Sequence, residues 1–157
     1  MSNVLRPEAM NGSDPSLGDD VMPYKLKQTG GRPVHFEGVE LCSTMSYAPG
    51  TPLWYEINLY KSTEATFVLD IRMFTKSENE RDNFRVFTAY SLADVFDILE
   101  RYDAANDIDA TSVDLQGDTM SIAQLSLSAA SLRLRVEEAR GQFRDLVGQL
   151  LYQLENA

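Results

Sequence analysis

Apolar side chains occupy every second position in three consecutive stretches of this chain. Leu53, Tyr55, Ile57 and Leu59 alternate across 53–61, and Phe67, Leu69, Ile71 and Met73 across 66–75. Phe84, Val86 and Thr88 continue the pattern across 84–90. A period of two carried by β-branched and aromatic residues predicts strands with one buried face. The short break at 62–65 predicts an antiparallel hairpin between the first two. Residues 76–83 contain no apolar side chain and predict a longer, solvated turn.

The period then changes. Ser91 stands at an N-cap position with Asp94 three residues on, an Asp version of the capping box. Leu92, Val95, Phe96, Leu99 and Tyr102 follow at i, i+3, i+4, i+7 and i+10, one stripe of an amphipathic helix. The expected destination of that stripe is the sheet face carrying Ile57, Leu59, Leu69, Ile71 and Val86. Upstream, 32–47 predicts a further strand, in which the apolar phase shifts by one across Gly38 and implies a bulge or a break. Residues 47–52 form a Pro/Gly turn. Residues 1–31, rich in Gly, Pro, Asn, Ser and Asp, predict a flexible arm, with 24–27 too brief to assign as a strand.

A second pattern runs along the C-terminal end. Ile122, Leu125, Ala129, Leu132, Val136, Ala139, Phe143, Leu146 and Leu150 are spaced alternately by three and four. That is the a/d seam of a coiled coil sustained over about four heptads. The serines at 121, 126, 128 and 131 are poor helix formers, so a hairpin near 113–122 competes with the start of this helix. A helix over the whole of 119–155 would run ~55 Å at 1.5 Å per residue, longer than the domain it packs on. The expectation is therefore a homodimer through Leu125, Leu132, Val136, Ala139, Phe143, Leu146 and Leu150. The alternative is a helix bent near Gly141 and folded back on the sheet.

Together these elements predict an α+β domain with an antiparallel sheet of about four strands (β-β-β-β-α). One helix packs on the sheet and a long C-terminal helix follows. The expected divisions are the arm at 1–31, the sheet with its helix and an acidic connector at 32–118, and the long helix at 119–157.

The second face of the sheet is unusual. Between Glu56, Asp70, Arg72 and Arg85 it is expected to display Trp54, Tyr60, Phe74 and Phe87, with Val68 beside them. So many large rings imply a cover from within the chain, a subunit interface, or a binding platform.

Composition narrows the function classes. The 157 residues carry a formal net charge of −10, which disfavours duplex DNA and anionic membranes. Residues 1–90 account for −3 and residues 91–157 for −7, so the acidity sits on the helices and their connector. The single Cys42 has no disulfide partner and the single His35 no companions for a zinc site. No signal pattern or run of transmembrane length occurs, so cytoplasmic residence is expected; Asn11-Gly-Ser13 is then a sequon without a secretion route. Asp107, Asp109, Thr111 and Asp118 fall on calcium-loop positions, but Ser112 replaces the required glycine and Asp118 the final Glu. No phosphate loop or nucleophile elbow is found. Glu56 and Asp70 read as members of cross-strand ion pairs rather than an acid/base pair. No catalytic residue, metal or cofactor is expected.

The leading expectation is a non-enzymatic protein-contact domain whose partners are a second copy of itself and, through the ringed face or the arm, another protein. The second is a single-stranded nucleic-acid binder, disfavoured by charge, using Trp54, Tyr60, Arg72, Phe74, Arg85 and Phe87. A sheet followed by a helix, with rings and arginines on the open face, resembles the architecture of small single-strand binders. A third is a small-ligand or chaperone-like domain with a pocket between the sheet and the last helix.

Overall fold

The computed structural model describes residues 20–78, 80–109 and 121–156. The arm up to residue 19, and residues 110–120 with their calcium-loop and hairpin readings, lie outside the described residues. The rest is an α+β fold. Five strands, β1 (Met22–Leu26), β2 (Val34–Met45), β3 (Leu53–Ser62), β4 (Phe67–Thr75) and β5 (Asn83–Ala89), form one antiparallel meander in the order β1-β2-β3-β4-β5. Two helices follow, α1 (Leu92–Arg101) and α2 (Ile122–Glu155), with a 3-10 turn, Ala104–Asp107, after α1. The segment too short to assign from sequence is a genuine edge strand: Tyr24 pairs with Phe36 and Leu26 with Val34.

β2 makes the sheet curl. Its first part, up to Gly38, pairs with β1, and the part from Gly38 onward pairs with β3. At that switch a Cβ on residue 38 would stand 2.2 Å from the Lys61 carbonyl oxygen, so only glycine fits. The bulge itself lies further on, between Glu40 and Cys42, where Leu41 is the extra residue. The bend carries the first hairpin round to the last strand. Thr29 N–H donates to the Phe84 carbonyl at 2.8 Å, and Phe84 N–H donates to Thr29 Oγ1 at 2.8 Å.

The expected strand phases hold for β3 and β4, where Tyr55, Ile57, Leu59, Leu69 and Ile71 are fully buried. They fail for β5. Phe87 pairs with Leu69 and Arg85 with Ile71, on the helix-covered face; Val86 pairs with Asp70 and Phe84 with Arg72, on the outer one. β5 is apolar in both phases (Phe84 and Val86 against Phe87 and Ala89), so alternation alone does not orient it. The hydrogen-bond register with β4 does.

α1 begins as expected, with Ser91 Oγ accepting from the Asp94 N–H at 3.1 Å. It lies over β4 and β5, burying Val95 and Leu99. α2 covers β2 and β3 with Ala139, Phe143, Leu146 and Leu150. Its serine-rich start is helical because Ser121 and Gln124 make a reciprocal capping box, Ser121 Oγ accepting at 3.2 Å and Gln124 Oε1 at 2.9 Å. The helix runs unbroken through Gly141 for 34 residues, ~51 Å at 1.5 Å per residue.

Candidate functional site

Of the six residues expected on the open sheet face, four are there. Trp54, Tyr60, Arg72 and Phe74 lie on the outer side, whereas Arg85 and Phe87 belong to the opposite side for the register reason given above. Trp54 and Phe74 sit in a row of four rings completed by two that alternation did not place there. Tyr47 meets Trp54 edge-on at 5.0 Å, Trp54 stacks on Phe74 at 5.4 Å, and Phe74 meets Phe84 at 5.3 Å. The Arg72 guanidinium lies 4.3 Å from the centre of Phe84, and the Lys76 ammonium 5.6 Å from that of Tyr47. Tyr47 is exposed and the other three rings are half-buried. Tyr47 comes from the Pro/Gly loop, so only tertiary contact could reveal it; alternation assigns Phe84 to the covered face, and only the register that pairs it with Arg72 puts it on the outer one.

Tyr60 belongs to a different group. It packs with Tyr24 at 4.6 Å and Phe36 at 5.3 Å, beneath the curl made by β1, and is buried together with Leu26 and Val68. The curl therefore covers this part of the outer face from within the chain. Between the two ring groups runs a polar chain. Ser43 donates to Asn58, whose amide donates to Asp70 Oδ2 at 3.3 Å, and Arg72 Nη1 lies 3.5 Å from the same oxygen. Asp70 is fully buried, and its other oxygen has no partner among the described residues. Burial raises its pKa, against the opposing pull of Arg72 and Asn58. Desolvation likewise raises the Tyr60 hydroxyl, with Asp70 adding to the shift. Cys42 lies on the covered face, where burial pushes its thiol up to about 11 and makes it a poor nucleophile.

A second polar group anchors the helices. The buried Asp107 carboxylate accepts from the Tyr55 hydroxyl at 2.6 Å, from the Tyr102 hydroxyl at 2.7 Å, and from the Asn83 amide. Arg85 Nε stands 3.6 Å away. Burial first, and then the neighbouring carboxylate, raise both tyrosine pKa values. Asp103 and Arg140 form a two-bond ion pair at 2.9 Å that ties the turn to α2. The bond to Arg140 holds the Asp103 carboxyl down at about 2. Two clefts of about 460 and 520 Å³ open on either side of Tyr102 and Asp103. Three of their four arginines, Arg85, Arg101 and Arg140, are each matched by an aspartate, Asp107, Asp97 and Asp103. The clefts thus flank the end of α1, where these pairs form an anchor, and Glu100 and Arg144 also line the second cleft.

The seam on α2 divides in two. Ala139, Phe143, Leu146 and Leu150 are buried in the core of their own chain, and Leu132 and Val136 pack half-buried against it. Of the seven residues expected at a dimer interface, only Leu125 is exposed. A sheet face accepts the three-four spacing as readily as a partner helix does, which the spacing cannot distinguish. The first turns project past the sheet, leaving Ile122 82% and Leu125 39% exposed, while Leu127 (72%) and Leu134 (67%) are exposed on the side turned away from the seam. A groove of about 490 Å³ lies beside Leu134, between it and Pro49–Pro52.

Among the described residues no cluster of acidic, His or Cys side chains is placed to hold a metal ion, and no helix is long and apolar enough to cross a membrane. No protein family, curated protein or solved structure matches the chain.

Proposed function

We propose that this chain is a non-enzymatic protein-contact domain that associates with a second copy of itself through α2. The observation that carries the reading is the apolar overhang: Ile122, Leu125, Leu127 and Leu134 are displayed to solvent on a helix that is capped and continuous with the core. Ile122 and Leu125 continue the seam while Leu127 and Leu134 stand on the opposite side of the helix, and large apolar side chains left exposed in this number commonly mark an association site. The answered charges around Asp107 and the raised Cys42 thiol favour a structural role over catalysis for those groups. Sedimentation or light scattering of the full chain at tens of micromolar tests the reading. A dimer is expected, and a species of one chain's mass overturns it.

A second reading rests on the ring row. Tyr47, Trp54, Phe74 and Phe84 with Arg72 and Lys76 offer stacking surfaces and two cations to a single nucleic-acid strand, each stacked base contributing roughly 1–3 kcal/mol. The net charge of −10 opposes it. Trp54 is the sole tryptophan, so its emission reports directly. Unchanged emission on adding oligonucleotides at low salt removes this reading.

A further inference from the structure

The outward face of α2 carries a second pattern, opposite the docked seam. Leu127, Leu134, Gly141 and Gly148 succeed one another at intervals of seven, which at 3.6 residues per turn keeps them in one narrow stripe. Ala123, Ala130, the exposed Asp145 and, at the far end, the 68%-exposed Tyr152 extend it. Both glycines lie inside a helix, where glycine is among the least favourable residues. Neither is required by its own chain, since a Cβ at 141 or 148 would meet nothing within 4 Å. Two large side chains in the first half of the stripe are therefore followed by two empty positions in the second half, at the same heptad phase.

That order is self-complementary under one operation only. A two-fold axis passing between Glu137 and Glu138 runs the stripe antiparallel onto its copy. It sets Leu127 opposite the partner copy's 148 position and Leu134 opposite its 141 position, with Ala123 facing position 152 and Ala130 facing position 145, the aspartate of the stripe. Every large side chain then faces a small one, as close helix packing requires, and the patch is the same on both protomers, as a two-fold interface demands. We infer that α2 pairs antiparallel with α2 of a second copy through this outward stripe, Leu127 and Leu134 seating over Gly148 and Gly141. The inference rests on the self-association reading and adds to it a face, a direction and a register. Glu137 and Glu138 of both copies flank the axis, so the pairing strengthens as added salt screens their repulsion.

The test uses Gly141→Leu and Gly148→Leu, which enter open space in the single chain and replace a poor helix former by a good one. Melting of the dilute variants is expected to be unchanged or higher, while the dimer dissociation constant rises at least tenfold. A Leu134→Cys/Gly141→Cys chain, its native Cys42 buried, is expected to oxidise to a covalent dimer. If the glycine variants dimerise as tightly as the parent, while Leu125→Asp abolishes the dimer, self-association stands and the outward stripe is overturned. A parent chain that is monomeric overturns both.

Discussion

The two halves of α2 share one spacing of apolar residues and meet different fates. From Ala139 to Leu150 the seam is buried on β2 and β3, steadied by Phe143 stacked on Tyr102 at 4.8 Å and by the Arg140–Asp103 pair. From Ile122 to Ala129 the same spacing hangs past the sheet and stays exposed, with Leu132 half-buried at the boundary. Nothing in the residues of the seam marks the change; the boundary is where the sheet runs out. The contrast teaches that a heptad pattern specifies a face to be covered, while the neighbouring architecture decides what covers it.

The sharpest way to break the contrast is to truncate seam residues in each half. Leu146→Ala or Leu150→Ala should lower the unfolding free energy by about 2–5 kcal/mol. Ile122→Ala or Leu125→Ala should stay within about 0.5 kcal/mol in dilute protein, where the chain is alone. Equal losses in urea titrations of the four would show the halves to be equally packed. Tyr55→Phe probes the anchor beneath the docked half, because the hydroxyl donates to buried Asp107 while the ring meets Phe143 edge-on at 5.6 Å. A loss of about 1–3 kcal/mol is expected, as one donor to a buried carboxylate disappears.

Ser121→Ala sharpens the contrast from the other end. Losing the capping box should cost about 1 kcal/mol, felt as fraying of the overhang. Amide exchange should then quicken near the start of α2 and not around Phe143. The smallest effect is electrostatic. The Asp103 carboxyl, held at about 2 against an ordinary 3.8, contributes stability that is complete above the ordinary value and lost as pH falls toward the lower one. Asp103→Asn should flatten the acid limb of stability between those values. Asp70 acts with the opposite sign: its raised pKa removes stability as pH rises through the window above 3.8.

Legibility from sequence followed how many choices each segment left open. β3 and β4 are apolar in one phase over their central positions, so their buried face could be named. Ser91 as a cap and the helix from Leu132 onward were equally readable. β5 carries rings in both phases, and so Arg85 and Phe87 were expected beside Trp54 when they lie on the far side of the sheet. Tyr47 joined the ring row from a loop with no periodicity to betray it. The Asp107 anchor draws on β3, β5, α1's end and the turn, and no local spacing announces a group assembled from four places.

Alternation, heptad spacing and capping residues by themselves determined that there would be an antiparallel sheet, a short helix and a long one, because those preferences act over a few neighbouring residues. The curl at Gly38, the phase of β5, and the covering of the seam by its own sheet arise from contacts between segments far apart in the chain. Each depends on where a distant backbone ends, and local pattern holds no information about that.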